Sequence, residues 1–157
     1  MITGGEPTLR SDIEEIVHAA RLECKFRSVL LITNGTLLDR KAGVLSGVTG
    51  LVVSLDALAS DPTNPLSKPA ALPKVMENLE FAKERLGSAR RITISTVIEE
   101  WNIGEVERLL DWCGEQGFER VGWRAEDTEK TRRGRRFFYR GGRGRLPEIC
   151  GDWGGWR

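Results

Sequence analysis

Residues 91–123, RITISTVIEEWNIGEVERLLDWCGEQGFERVGW, decide the fold. RITISTVI is rich in β-branched residues and reads as a strand. NIGEVERLLDWCGEQG follows as a helix, with Asn102 as its cap, Glu105 in the reciprocal position and Gly117 ending it. FERVGW then reads as another strand. A strand, a helix and a strand in this order form a βαβ unit, whose two strands run parallel.

The same alternation extends toward the N-terminus. KVMENLEFAKERL predicts a helix, with Pro73 near its start, Val75, Leu79, Ala82 and Leu86 along one stripe, and Gly87 as the stop. Before it, residues 57–73, ALASDPTNPLSKPAALP, form a surface loop long enough to serve as a substrate-side lid. LVVSLD and SVLLIT predict strands buried on both faces, joined by a short helical or irregular crossover, TLLDRKAGVL. SDIEEIVHAARLEC predicts a helix with Ser11 and Glu14 as a capping box and Ile13, Ile16, Val17, Ala20 and Cys24 on its buried face. His18 lies beside that face and has no partner motif. The recurrence specifies an α/β fold, a parallel sheet with crossover helices; by itself it separates neither an open sheet from an incomplete barrel nor one activity from another.

Composition narrows the setting. The 157 residues are 39% hydrophobic. A net charge of +1 hides a balance of −6 over residues 1–129 and +7 over residues 130–157. No apolar run is long enough to span a bilayer and no signal peptide opens the chain, so the expectation is a cytoplasmic protein without a membrane partner. The three cysteines, Cys24, Cys113 and Cys150, are too widely spaced for a disulfide framework or a compact metal signature. Core packing is expected for Cys24 and Cys113.

Residues at the C-terminal ends of parallel strands are where α/β folds meet their ligands. TGGEP stands at such a position: Gly4 and Gly5 allow close backbone approach, Glu6 can accept from an amine, and Pro7 stiffens the turn. A tight structural turn is the equal alternative. Asn34 and Gly35 follow the next strand, Ser54 and Asp56 the third, and Ser95, Thr96 and Glu99 the fourth. Hydroxyls, an amide and carboxylates in repeated strand-end positions suit a polar small molecule better than a polyanion.

ITGGEPTLR, LLITNGTLL, LVVSLDAL and RITISTVI, in this order, resemble the radical S-adenosylmethionine (radical SAM) superfamily over roughly residues 1–124. The resemblance implies part of an incomplete (β/α)6 barrel, a partial TIM barrel. It implies S-adenosylmethionine bound against a [4Fe–4S] cluster held by a CxxxCxxC loop. A reductant, and a small-molecule or peptide substrate attacked by the radical, complete the implied chemistry. On this resemblance Gly4, Gly5 and Glu6 meet the methionine amine, Pro7 holds that edge, and Asn34 joins the polar rim. Ser54 and Asp56 match a position facing the ribose or methionine part, with Ser95 and Thr96 on the next strand. Residues 94–99 match a second cofactor motif only in part, since Ile92 and Thr96 stand where glycines are usual. No CxxxCxxC is present, and the GGEP strand begins almost at Met1. The expectation is therefore an N-terminally truncated fragment, inactive alone, whose exposed sheet edge invites self-association.

The tail, residues 125–157, is Arg- and Gly-rich without helical or strand period and is expected to be disordered or the product of an out-of-frame reading. Two other readings stand beside the enzyme fragment. One is a non-catalytic α/β cofactor-binding protein. The other is an Arg-rich nucleic-acid-binding module in which Phe137, Phe138 and Tyr139 stack on bases.

Overall fold

The computed structural model describes residues 1–58, 71–88, 91–98, 102–118, 120–125 and 135–140. A 3-10 turn, Pro7–Leu9, precedes α1 (Ile13–Leu22), β1 (Leu30–Thr33), α2 (Ala42–Gly47), β2 (Gly50–Ser54) and α3 (Leu72–Leu86). The chain continues through β3 (Ile92–Ile98), α4 (Val106–Glu115), β4 (Arg120–Ala125) and β5 (Arg135–Arg140). Strands β1 to β4 are parallel and stand side by side in chain order, while β5 runs antiparallel to β4. Ahead of β1, Ile2 makes one parallel bridge to Leu31, with Ile2 N–H donating to Leu30 O at 2.7 Å and Ile2 O accepting from Ile32 N–H at 3.0 Å. The expected GGEP strand is thus a single bridge.

Strand order carries the architectural argument. Successive right-handed crossovers that always step in one direction lay every helix on the same face of the sheet. A doubly wound fold needs a reversal of direction, which β1 to β4 do not make. Burial agrees: Leu31, Thr33, Leu51, Val53, Leu55, Ile92, Ile94 and Thr96 are buried on the helix side. Their neighbours Leu30, Ile32, Val52, Ser54, Thr93, Ser95 and Val97 are half-buried or exposed on the other. The strands expected to be buried on both faces are therefore covered on one. A barrel wall has this asymmetry, with helices outside and a ligand-facing interior.

Helix α3 shows sequence and packing in step. Val75, Leu79, Ala82 and Leu86 are all buried, and Gly87 ends the helix at φ +68°. That left-handed conformation suits glycine, which carries no Cβ to clash. Below the sheet, Arg91 gathers three carbonyls, donating to Val48 O at 2.5 Å, Thr49 O at 3.1 Å and Leu86 O at 3.3 Å. Beyond α4, Gly117 has φ +76° and Phe118 packs back on Trp112, ring centroids 5.4 Å apart.

Four local expectations are corrected. Ser11 and Glu14 make no capping box: α1 is capped at Asp12 without a side-chain bond, and Glu14 reaches across to accept from Gly43 N–H of α2 at 3.0 Å. Docking of α2 offers that carboxylate a better donor than its own helix does. Cys24 is exposed, because α1 ends at Leu22 before its stripe reaches the thiol; Ile16 is also on the surface at 36% exposure. Tail residues Arg135–Arg140, expected to be disordered, pair with β4 in register from Arg120↔Arg140 to Ala125↔Arg135. Unsatisfied strand-edge groups on β4 supply the driving force for that pairing. Residues 126–134 and 141–157 of the tail, and residues 59–70 of the long loop, lie outside the described residues.

Helices α1 and α2 meet at Gly47, where an added Cβ would sit 2.5 Å from Val17 Cγ1, a side chain buried in the core. Gly47→Ala gains about 1 kcal/mol of helix propensity. It loses about 1–3 kcal/mol to overpacking against a stiff β-branched side chain. The expected outcome is net destabilisation of about 1 kcal/mol, read as a lower urea midpoint with an unchanged slope.

Candidate functional site

The site is built at the C-terminal ends of the strands on the face the helices leave free. Its first element is the loop after the Ile2 bridge. Gly4 has φ +145°, which only glycine adopts readily. Gly5 has no such requirement, yet a Cβ placed on either residue would meet no atom within 4 Å. Both are exposed, so the backbone here faces open space. Pro7 is buried and starts the 3-10 turn that carries the chain into α1.

Glu6 is the anchor of this loop. Its Oε1 accepts from Thr8 N–H at 3.1 Å, Thr8 Oγ1 at 2.6 Å and Thr33 Oγ1 at 2.6 Å. Its Oε2 accepts from Asn34 N–H at 2.7 Å. Burial pushes the carboxyl pKa up, but the donors Thr33, Thr8 and Asn34 outweigh it and hold Glu6 below its ordinary value of 4.5. The side chain thereby caps the 3-10 turn and ties it to the end of β1.

The next level is set by register. Thr33 pairs with Val53, so Asn34 and Ser54 each stand one residue beyond that rung. Ser54 in turn pairs with Ser95. Ser54 is exposed and Ser95 half-buried, and both lie on the helix-free face. Asn34 spends its side-chain oxygen on a turn, accepting from Thr36 N–H at 2.9 Å and Thr36 Oγ1 at 2.7 Å. Gly35 follows at φ +79°, packed against Val53 and Val75.

Asp56 and Thr96 stand differently from the hydroxyl pair. Asp56 Oδ1 accepts from Val97 N–H at 2.8 Å, and Asn102 Nδ2 donates to both Asp56 O at 3.0 Å and Val97 O at 2.7 Å. This knot joins the end of β2 to β3 and to the entry of α4. Thr96 is 2% exposed on the helix side and donates its hydroxyl to Leu55 O at 2.8 Å. The structure therefore brings Gly4, Gly5, Glu6, Pro7 and Asn34 together at one edge and aligns Ser54 with Ser95 beside it. Thr96 is turned away from that open face. Glu99 lies outside the described residues.

Sequence reasoning missed Thr8, Thr33 and Asn78. Thr33 is 2% exposed and, besides holding Glu6, accepts from Gly35 N–H at 3.1 Å; Asn78, 1% exposed, donates to Gly35 O at 2.8 Å. Nothing in ITNG distinguishes a clasp threonine from an ordinary strand threonine. Asn78, by contrast, is a polar residue within the apolar stripe of α3, which was the available signal.

Metal chemistry finds no support in these side chains. Among the described residues no cluster of His, Cys, Asp or Glu could hold a metal ion. Cys24 is exposed, and burial pushes the Cys113 thiol up to about 12, leaving it protonated. Among the described residues, no helix is long and apolar enough to cross a membrane.

The radical SAM superfamily profile matches residues 1–113. A GTP 3′,8-cyclase of Paracoccus denitrificans is 36% identical over 121 residues, covering 74% of this chain and 34% of the relative. A GTP 3′,8-cyclase of Synechocystis is 32% identical over 140 residues, covering 83% of this chain and 42% of the relative. The chain thus spans well under half the length of these curated relatives. Among solved structures, Streptococcus suis SuiB bound to S-adenosylmethionine superposes with a TM-score of 0.62 at 23% identity, over 83% of this chain and 30% of that one. TYW1 with a lysine-pyruvate adduct bound gives 0.61 at 18% identity, over 83% and 42%. Both likenesses bear on the fold.

The pH dependence of Glu6 follows in sign from its lowered pKa. Its contribution to stability is present at neutral pH, above the unfolded value of 4.5, and is lost as pH falls through that value toward the lower folded one. Glu6→Gln cannot accept from Asn34 N–H and Thr33 at once, and it should cost about 1 kcal/mol at pH 7. Urea midpoints measured from pH 7 to pH 3 should show the wild-type and variant curves converging on the acid side.

Proposed function

The chain belongs to the radical SAM superfamily, and on that premise we propose that its strand ends form the S-adenosylmethionine-binding edge of an enzyme that attacks a small molecule. S-adenosylmethionine and a [4Fe–4S] cluster are the cofactors of the complete enzymes of this family. Bound, and given one electron by a reductant, they would supply a carbon radical able to take a hydrogen atom from substrate. The cluster's ligands are not among the described residues, whose side chains do not fit one.

The fit to S-adenosylmethionine is better, and the observation that carries it is Gly5. Its backbone conformation does not require glycine and its own fold leaves the Cβ position empty. Chain packing therefore gives no reason for the missing side chain, whereas close approach of a ligand does. Backbone carbonyls in this exposed loop are acceptors suited to an ammonium group. The hydroxyls of Ser54 and Ser95, in register on the open face, can receive the hydroxyls of a ribose. The half-buried apolar positions Ile32, Val52 and Val97 on the same face would shed water around the bound group.

GTP is the first substrate to try, because the curated relatives are named GTP 3′,8-cyclase. Binding of the cofactor is the more direct test. Calorimetric titration of the full chain with S-adenosylmethionine should give saturable binding. Gly5→Val should keep its unfolding free energy within about 0.5 kcal/mol, since the added side chain enters open space. The same variant should weaken S-adenosylmethionine at least about tenfold. Equal affinity in wild type and variant would refute the assignment.

A further inference from the structure

The Glu6 carboxylate lies next to the proposed amine-binding edge, and acceptance of a ligand amine is its obvious task. Its own chain has largely taken that capacity. A carboxylate offers about four acceptor directions. Thr8 N–H, Thr8 Oγ1 and Thr33 Oγ1 converge on Oε1, and Asn34 N–H takes Oε2. The Thr8 bonds are local, two residues along the chain, whereas Thr33 is 27 residues away. It is the long-range bonds that fix the loop in space.

Thr33 is the centre of a longer chain of bonds. Its hydroxyl donates to Glu6 at 2.6 Å and accepts from Gly35 N–H at 3.1 Å. Gly35 O in turn takes the Asn78 amide at 2.8 Å. Thr33 and Asn78 are fully buried, so these bonds are shielded from water and each missing one leaves a polar atom unpaired. The exposed Gly4–Gly5 backbone is thereby held against β1 and, through Gly35, against α3.

We propose that Thr33 is a positioning residue for the cofactor edge, acting through Glu6, and that the Glu6 carboxylate serves as the clasp of that edge and not as the ligand of the amine. The proposal rests on the S-adenosylmethionine reading of Gly4 and Gly5. Its distinctive consequence is that Thr33, which faces Glu6 and not the ligand, sets the affinity only while the Glu6 carboxylate is there to be held.

The experiment titrates the full chain with S-adenosylmethionine. Thr33→Val keeps the side-chain shape and removes the hydroxyl. It should weaken binding by about tenfold, the equivalent of about 1.4 kcal/mol. Thr33→Ser should restore wild-type affinity, Glu6→Gln should match Thr33→Val, and the double variant should bind no more weakly than either single one. In a crystal structure of the complex the ligand nitrogen should lie within hydrogen-bond distance of a Gly4 or Gly5 carbonyl and beyond about 3.5 Å from either Glu6 oxygen. Binding by Thr33→Val at wild-type strength would overturn the proposal. So would a double variant whose two losses multiply, or a ligand nitrogen bonded to Glu6. Should Thr33→Val fail to fold, Thr33→Ala takes its place, and the wild-type complex still decides the role of Glu6. Failure of the underlying reading looks different: wild type then does not bind, or Gly5→Val binds normally.

Discussion

A parallel sheet whose strands follow one another in chain order can place its helices on only one side. Each crossover has the same hand and steps in the same direction, so α2, α3 and α4 return over one face. That face becomes the core, from Leu31 on β1 to Ile94 on β3. The opposite face keeps Ser54, Thr93 and Ser95 accessible. The sheet face can line a site only because of this asymmetry, since a sheet covered on both sides offers a ligand its strand ends alone.

Within that frame, polar bonds decide how the strand ends are held. Two knots do most of this. One is the Glu6 carboxylate, which joins the GGEP loop to β1 through Thr33 and Asn34. The other is Asp56 with Asn102, which joins β2, β3 and the start of α4. Both use side chains that look in the sequence like candidates for ligand contact. Parallel strands end without hairpins, so their terminal backbone groups need such partners. Strand-end polar residues in this fold therefore divide between holding the scaffold and facing the open side of the sheet, and Ser54 with Ser95 remain on that open side.

Helix positions were legible because they are local. Val75, Leu79, Ala82 and Leu86 recur at helical spacing, and the helix they imply is present with Gly87 at its end. The parallel order of β1 to β4 was legible for the same reason, since helices between strands demand crossovers. The burial on both faces expected of SVLLIT and LVVSLD is absent. A short apolar run contains no record of what lies above and below it, and Leu30 and Val52 face the side without helices. Glu14 was likewise assigned to its own helix, while the assembled fold gives it Gly43.

The amino-acid order alone determined the family and the α/β class, since motif and periodicity are properties of neighbouring residues. Only the folded chain decided which face is open, that Thr96 is turned from it, and that Glu6 is engaged by Thr33. Those facts depend on residues 27 to 43 positions apart meeting at one point. Their partners are chosen by strand register and helix docking, which no short stretch of sequence encodes by itself.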